Sequence, residues 1–330
     1  MAPHGESTTL VTGASGFLGK AVLATLLARD PAPRNVLVLL RAADAAAATR
    51  RLETEVLASE PFTALAPRVV SDLLAAGRLR AVAGDLESGR IESAAEPDWG
   101  AVETVIHCAA SVSFEEPLDT ILALNAFGPV GLLESLRAAG AEPHFVHVST
   151  AYSADCTAAV VSEDGPLHPR LAELDPEALM ARARAWRREA EGDGAEAKLA
   201  RRGRRHANEL GWPDTYALSK ALGERLLCER SRRTTIVRPT IIESALTSPR
   251  PGWLEGIKVA DPLILAYAAR GLTHLAGDAR NRIDVVPVDH VANACVAAAL
   301  HPPRQPLRAL AVASSSRNPL TLGGLAGQIR

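Results

Sequence analysis

Lysine is nearly missing from this sequence: Lys20, Lys198, Lys220 and Lys258 are the whole supply in 330 residues. Arginine and alanine abound instead, which points to a coding bias and makes any lysine at a meaningful spacing conspicuous. Cysteine is equally sparse. Cys108, Cys156, Cys228 and Cys295 are scattered without CxxC spacing, so neither a disulfide framework nor a zinc site is indicated and no metal is expected. No apolar run approaches the ~18 residues that span a bilayer. The opening MAPHGES has neither the basic nor the apolar region of a secretory leader, so a cytoplasmic location without a spanning membrane segment is the expectation. Net charge is close to absent as well, at −2, which excludes general affinity for nucleic acid or an anionic membrane. What remains is 47% hydrophobic residues, ample for a buried core, in a length that suits one large domain or one and a half.

The most informative segment is TLVTGASGFLG, Thr9 to Gly19. It joins a β-branched run to a glycine-spaced turn and then to a helix-forming stretch. Gly13, Gly16 and Gly19 stand three apart, so the chain can turn sharply after a strand and present backbone N–H groups to a pyrophosphate at a helix N-terminus. Ser15, Phe17 and Leu18 lie between the glycines, the last two supplying the apolar start of the helix. The GxxGxxG spacing resembles that of short-chain dehydrogenases and their extended relatives. A glycine-rich turn alone is a weak signal; the strand before it and the helix after it carry the reading.

Strands and helices alternate through the first half. A helix over Lys20 to Arg29 leads to the strand Asn35 to Leu40. An alanine-rich helix from about Ala43 to Ser59 follows, and then a strand from Leu79 to Ala83. The buried strand Val102 to His107 precedes a helix from near Leu118 to Ala139, and Phe145 to Val148 makes the fifth strand. This pattern predicts an α/β, Rossmann-type doubly wound parallel sheet. Residues 1–240 are expected to form the dinucleotide-binding domain, and residues 241–330 a smaller substrate-binding portion interleaved with the sheet.

The end of the second strand decides between cofactors. A carboxylate there binds a ribose 2′-OH, whereas an arginine suits a 2′-phosphate. VLVLL is followed by Arg41, with no carboxylate before Asp44, and Arg51 can return to the same spot from the next helix. NADPH is therefore expected over NADH, although an arginine can also simply end a strand in water.

Tyr216 and Lys220 stand four apart in DTYALSKALGERLL and so share one face of a helix. A phenol of pKa ≈ 10 is a poor acid or base at neutral pH unless a cation stabilises its phenolate, and Lys220 is expected to be that cation and to hold ribose hydroxyls. With so few tyrosines and lysines, a chance coincidence at this spacing is rare. A further hydroxyl should come from the end of the fifth strand, where Thr150 is the choice and Ser149 the near alternative; either can instead satisfy a turn.

Taken together, GASGFLG, NVLVLLRA, GDL at Gly84 to Leu86, HCAASVSFEEPL, HVSTAY, LGWPDTYALSKALGE and IVRPTII resemble the alcohol-forming fatty acyl-CoA reductases and the thioester reductase domains of carboxylic acid reductases and multimodular synthases. The resemblance covers nearly the whole chain, and the GWPDTY context leans towards the acyl-CoA reductases. It implies that Asp85 and Leu86 border the adenine, Ala109 and Ala110 the middle of the cofactor, and Pro239, Thr240 and Ile241 the nicotinamide amide. It also implies that Tyr216 and Lys220 are the catalytic pair. Relatives often continue past the reductase domain, and LTLGGLAGQIR reads as mid-helix, so a longer protein with a possible fused domain beyond residue 330 is expected.

The stretch from about Pro169 to Gly211 is far longer than a simple connection needs. It holds Arg182, Arg184, Arg187, Arg188, Lys198, Arg201, Arg202, Arg204 and Arg205 against Glu189, Glu191, Asp193 and Glu196. It reads as a helical insertion over the mouth of the site. Its positive charge can meet the phosphates of coenzyme A or an acidic acyl carrier protein, or be a solvated face. Further on, Trp253, Leu254, Tyr267 and an apolar helix from about Pro262 to Ala269 can line an acyl pocket or pack a core. Asp289 suits the N-terminus of a helix, and neither it nor His290 is given a catalytic role.

The expected reaction is reduction of a long-chain acyl thioester to the aldehyde and on to the primary alcohol. The alternatives are release of an aldehyde from a carrier protein, an extended short-chain enzyme acting on a sugar nucleotide or hydroxysteroid, and a cofactor-binding regulator without turnover.

Overall fold

Long buried strands set side by side organise the computed structural model, which describes residues 7–29, 35–65, 67–91, 97–154, 163, 169–256, 265, 266, 269 and 277–329. The sheet comprises β1 (Thr8–Thr12), β2 (Asn35–Leu40), β3 (Leu79–Asp85), β4 (Arg90–Ile91), β5 (Val102–His107), β6 (His144–Val148), β7 (Thr234–Pro239) and β11 (Leu307–Val312), in the order β11-β7-β6-β5-β1-β2-β3-β4. All neighbours are parallel except the short β4, which runs antiparallel to β3. The chain winds outward through β2 and β3 on one side of β1 and resumes with β5 on the other. A crevice therefore opens at the carboxyl ends of β1 and β5, where ligands bind in this architecture. The final third contributes β11 to the sheet edge and the short β8 (Ile241–Glu243), β9 (Arg282–Ile283) and β10 (Val285–Pro287) beside it.

Both faces of the sheet are covered, which explains why its strands read as continuous apolar runs. On one face α1 (Phe17–Leu27) packs with α10 (Val288–Leu300) over Val11, Val38, Ile106 and Val146. On the other, α5 (Leu118–Leu122), α6 (Gly128–Ala138) and α9 (Thr215–Arg230) cover Leu10, Leu37, Val105 and Phe145. Helices α2 (Ala45–Arg51), α3 (Glu60–Thr63) and α4 (Pro67–Ala75) fill the β2–β3 crossover.

Residues 169–211 form a helical hairpin, α7 (Pro176–Glu189) and α8 (Ala195–Leu210). Asp175 caps α7 by accepting the Ala178 N–H (2.9 Å), and Gly211, with φ of 105°, ends α8 in the left-handed conformation. The stripe Leu199, Gly203 and Ala207 is the buried face of α8. A Cβ on Gly203 would stand 3.1 Å from side chains of both Leu118 and Thr215, so the hairpin lies close against the starts of α5 and α9. Arg187 fastens it further, with its guanidinium on Asp119 and Thr120 of α5 and on Glu196 of α8.

Candidate active site

The glycine loop is built to two tolerances. Gly13 has φ of 73°, and a Cβ there would lie 2.5 Å from the Ala109 nitrogen. A Cβ on Gly19 would lie 2.0 Å from the Gly13 carbonyl oxygen. Both are demanded by the protein's own backbone. Gly16 is different: it is exposed, and an added Cβ meets only the Gly13 oxygen, at 3.4 Å. The protein's own backbone does not demand glycine at position 16, and the open space beside it is what close approach of a ligand's phosphates would need.

From this loop one groove runs in two directions. Towards β2 it has a volume of about 250 Å³, lined by Gly13, Ser15, Gly16, Arg41, Arg51, Asp85, Leu86, Ala109 and Ala110 among others. All nine of these were expected from the sequence. Arg41 is exposed, and Asp44, the next carboxylate, is spent capping α2 through the Ala47 N–H (2.7 Å). Arg51 does come back to this spot, donating to the Arg41 carbonyl (2.5 Å). Its Nη2, however, also lies 2.6 Å from Glu55, so its charge is already partnered.

Towards the end of β6 the groove widens to about 580 Å³, with Phe17, Leu18, Gly19, Ser149, Thr150, Tyr216, Lys220, Pro239, Thr240 and Ile241 in its wall. Asp214 caps α9 by accepting the Ala217 N–H (2.7 Å) and so fixes where Tyr216 emerges. The Tyr216 phenol and the Thr150 side chain face this end together, close enough for Thr150 to pull the phenol's pKa down. The Thr150 oxygen accepts the Tyr152 N–H (3.3 Å), leaving its own hydrogen to donate. Ser149 Oγ, by contrast, is buried with no hydrogen-bond partner, and the Thr240 hydroxyl is taken by Asp284 (2.9 Å).

At the phenol the largest influence is burial. Desolvation pushes Tyr216 up to about 12, against the downward pull of the Thr150 side chain. Lys220 Nζ donates to the Val148 carbonyl (2.5 Å) and lies 3.5 Å from His147 Nε2. Burial brings its pKa down to about 8. Strand register explains the company it keeps: Thr12, His107 and His147 are successive partners across β1, β5 and β6. The two imidazoles stack at 5.3 Å, and His107 Nδ1 is bonded to Thr12 Oγ1 (2.9 Å). Desolvation keeps both neutral, His107 at about 3 and His147 well below its ordinary value.

Other wall residues carried no signal in the sequence pattern. Val112, Phe114 and Tyr152 line the wide end and leave their apolar surfaces exposed there. The Phe114 ring meets the Tyr216 ring edge-on at 5.5 Å, and the Phe114 carbonyl accepts from Arg204 of α8 (3.0 Å). Buried Asn125 ties the loop behind Ala109 and Ala110 to α9 through Ser111 (2.9 Å) and Ser219 (3.0 Å). Trp253 is not among the groove's lining residues: it is 3% exposed and packs against Phe17 with the rings tilted and their centroids 4.8 Å apart, as core. Pro262 and Tyr267 lie outside the described residues, as does Cys156. Asp289 stands in the first turn of α10, where it accepts from the backbone of Leu246, Thr247 and Ser248. Among the described residues no group of His, Cys, Asp and Glu is placed to hold a metal, and no helix is long and apolar enough to cross a membrane.

Residues 11–295 match the family model described as male sterility protein. The chain is 31% identical to fatty acyl-CoA reductase 1 of Arabidopsis thaliana, over 97% of this chain and 69% of that protein. It is 30% identical to the alcohol-forming fatty acyl-CoA reductase of Simmondsia chinensis, over 96% and 68%. In fold it resembles the terminal R domain of the myxalamid PKS-NRPS pathway, with a TM-score of 0.66 at 21% identity over 96% of this chain and 68% of that one.

Proposed function

The chain belongs to the male sterility protein family, and from that premise we propose that it is an NADPH-dependent reductase of long-chain acyl thioesters, carried on to the alcohol. The observation that carries this reading is the Tyr216–Thr150 pair of hydroxyls, set where the glycine-loop groove opens into the wide apolar end. A reduced nicotinamide dinucleotide, when bound, supplies hydride to the acyl carbon. The chain's own residues do the rest. Thr150, whose oxygen already accepts the Tyr152 N–H, donates to the carbonyl oxygen. Tyr216, held protonated at neutral pH, donates beside it and supplies the proton as charge develops. Lys220, largely protonated at pH 7, is the nearby cation that keeps this end of the groove electropositive. Collapse of the hemithioacetal releases thiol and aldehyde.

In this reading Gly13, Gly16 and Gly19 cradle the pyrophosphate, Asp85 and Leu86 border the adenine, and Arg41, with Arg51 behind it, takes the 2′-phosphate that favours NADPH. Pro239, Thr240 and Ile241 flank the nicotinamide, and Val112, Phe114 and Tyr152 hold the start of the acyl chain. The exposed arginines of α8, with Arg204 at the rim, favour an anionic thioester carrier, for which coenzyme A is our choice over a carrier protein.

Cofactor oxidation with a long-chain acyl-CoA, a sugar nucleotide and a hydroxysteroid tests the assignment. Two NADPH consumed per acyl-CoA with accumulation of alcohol is the expected result. Aldehyde accumulating at one NADPH per thioester would reduce the reading to a two-electron reductase, and turnover only with the sugar nucleotide or steroid would replace it.

A further inference from the structure

One turn beyond Lys220 on α9, Glu224 is completely buried. Its carboxylate takes a two-pronged contact from Arg238 of β7, with Nη2 at 2.6 Å and Nε at 3.1 Å. The same carboxylate accepts the Ser153 hydroxyl (2.8 Å). Ser153 lies in the single turn that starts at Thr150: its N–H and its hydroxyl both approach the Thr150 carbonyl, at 3.3 and 2.8 Å. Its own carbonyl accepts the Trp212 indole N–H (3.3 Å). Three walls of the groove thus meet at one carboxylate: the helix of Tyr216 and Lys220, the turn of Thr150, and the strand that runs on into Pro239, Thr240 and Ile241.

A buried ion pair is a poor way to gain stability, because stripping two charges of water costs about as much as their attraction returns. A carboxylate can, however, accept an arginine fork and a hydroxyl at once in fixed directions, which an apolar contact cannot do. We propose that Glu224 and Arg238 form a positioning pair for the reaction: through Ser153 they set the Thr150 turn, so that the Thr150 hydroxyl stays beside that of Tyr216 and aims its hydrogen at the substrate carbonyl. The pair touches neither substrate nor cofactor. It acts on the oxygen-binding hydroxyl from behind, and this role rests on the thioester-reductase reading of the site.

The test is a double-mutant cycle on the full chain, Ser153→Ala against Thr150→Ala, followed with the thioester the wild type reduces. Ser153→Ala should lower kcat about tenfold, the scale of a small misplacement of a reacting group, while KM for the thioester and NADPH binding stay within about threefold. In the Thr150→Ala background the same change should do nothing further. The neutral replacement Glu224→Gln with Arg238→Met, which leaves no buried charge unpaired, should behave like Ser153→Ala in both backgrounds. Additive losses, or an unchanged kcat, would overturn the proposal and leave the pair structural. If the double replacement does not fold, the Ser153 cycle decides alone. If the wild type reduces no thioester, the functional reading fails by itself. The positioning claim is then decided by the crystal structure of Ser153→Ala: a Thr150 hydroxyl moved away from that of Tyr216 supports it, and an unmoved one overturns it.

Discussion

At the narrow end of the groove the glycine loop is held so tightly that a single added carbon at Gly13 would stand 2.5 Å from the Ala109 nitrogen. At the wide end the wall includes side chains brought from the ends of β6 and β7, from α9 and from the loop of Phe114. The two ends therefore fail in opposite ways. One is damaged by adding atoms and the other by removing them, and the first kind of damage falls on folding or cofactor binding while the second falls on turnover.

Removing one atom at the wide end should give the largest effect. Tyr216→Phe keeps the ring against Phe114 and deletes only the hydroxyl that faces the groove beside Thr150. Loss of a general acid typically costs 10²–10⁴-fold, so kcat should fall by about that range while NADPH binding stays within a few-fold. Substantial residual turnover, measured under saturating thioester, would remove Tyr216 from the mechanism.

Adding one atom sharpens the contrast in the glycine loop between the two ends. Gly19→Ala forces a Cβ to within 2.0 Å of backbone and should cost at least about 3 kcal/mol of stability, at or beyond the usual range for overpacking. Gly16→Ala meets nothing nearer than 3.4 Å. It should melt within about 2 °C of the wild type, since a ΔΔG of a few tenths of a kcal/mol shifts Tm by no more, yet bind the dinucleotide at least about tenfold more weakly. Equal melting losses in the two variants would show that the loop has one tolerance, not two.

Protons should separate the ends as well. His107 and His147, under the wide end, and His144, on the same strand as His147, are buried and neutral, with His107 held at about 3 and His144 at about 4 against an ordinary 6.5. Between pH 6.5 and 4 the unfolded chain binds protons that the native one refuses, so stability rises with pH across this window and is lost on acidification. Three such groups give a slope of up to about 4 kcal/mol per pH unit. Urea midpoints at pH 7, 6 and 5 measure it. His144→Gln should remove about one third of the slope, and a flat profile would mean that the imidazoles charge without unfolding.

Much of the narrow end was legible because backbone requirements leave glycines in the sequence, and strands buried on both faces leave uninterrupted apolar runs. β2 and β5 occupy the expected residues, Asn35–Leu40 and Val102–His107. The wide end was legible only where a helix repeat linked two residues, Tyr216 and Lys220. Three kinds of information were missing from the pattern. A lone polar residue in an apolar helix, such as Asn125, looks the same whether it faces solvent or fastens a loop. The partner of Lys220 is a backbone carbonyl, which no side-chain pattern encodes. Trp253 was open to either reading because an apolar ring suits a pocket and a core equally, and only its burial against Phe17 decides. The helices expected over about 43–59 and 118–139 also contain π-helical turns, Leu52–Leu57 and Ala123–Phe127, and the second of these is where Asn125 sits.

The smallest effects should come from the two arginines of the narrow end, and they should be unequal. Arg41 is exposed, so if it takes the 2′-phosphate, Arg41→Ala loses a charge-assisted hydrogen bond worth about 1.5–3 kcal/mol, and NADPH should bind about 10- to 100-fold more weakly with NADH unchanged. Arg51 is already held by Glu55 and by the Arg41 carbonyl. Its removal gives up an exposed pair worth about 0–1 kcal/mol and a support for the Arg41 backbone. Arg51→Ala should therefore weaken NADPH less than about fivefold by itself, and should add to Arg41→Ala only slightly, because a misplaced neighbour matters little once the contact it supports is gone. Titrating both cofactors against the two single variants and the double variant measures this. An Arg51 effect as large as that of Arg41 would mean that the Glu55 pair opens to give its arginine to the phosphate, and equal weakening of NADPH and NADH by Arg41→Ala would make that residue part of the strand end and not of cofactor choice.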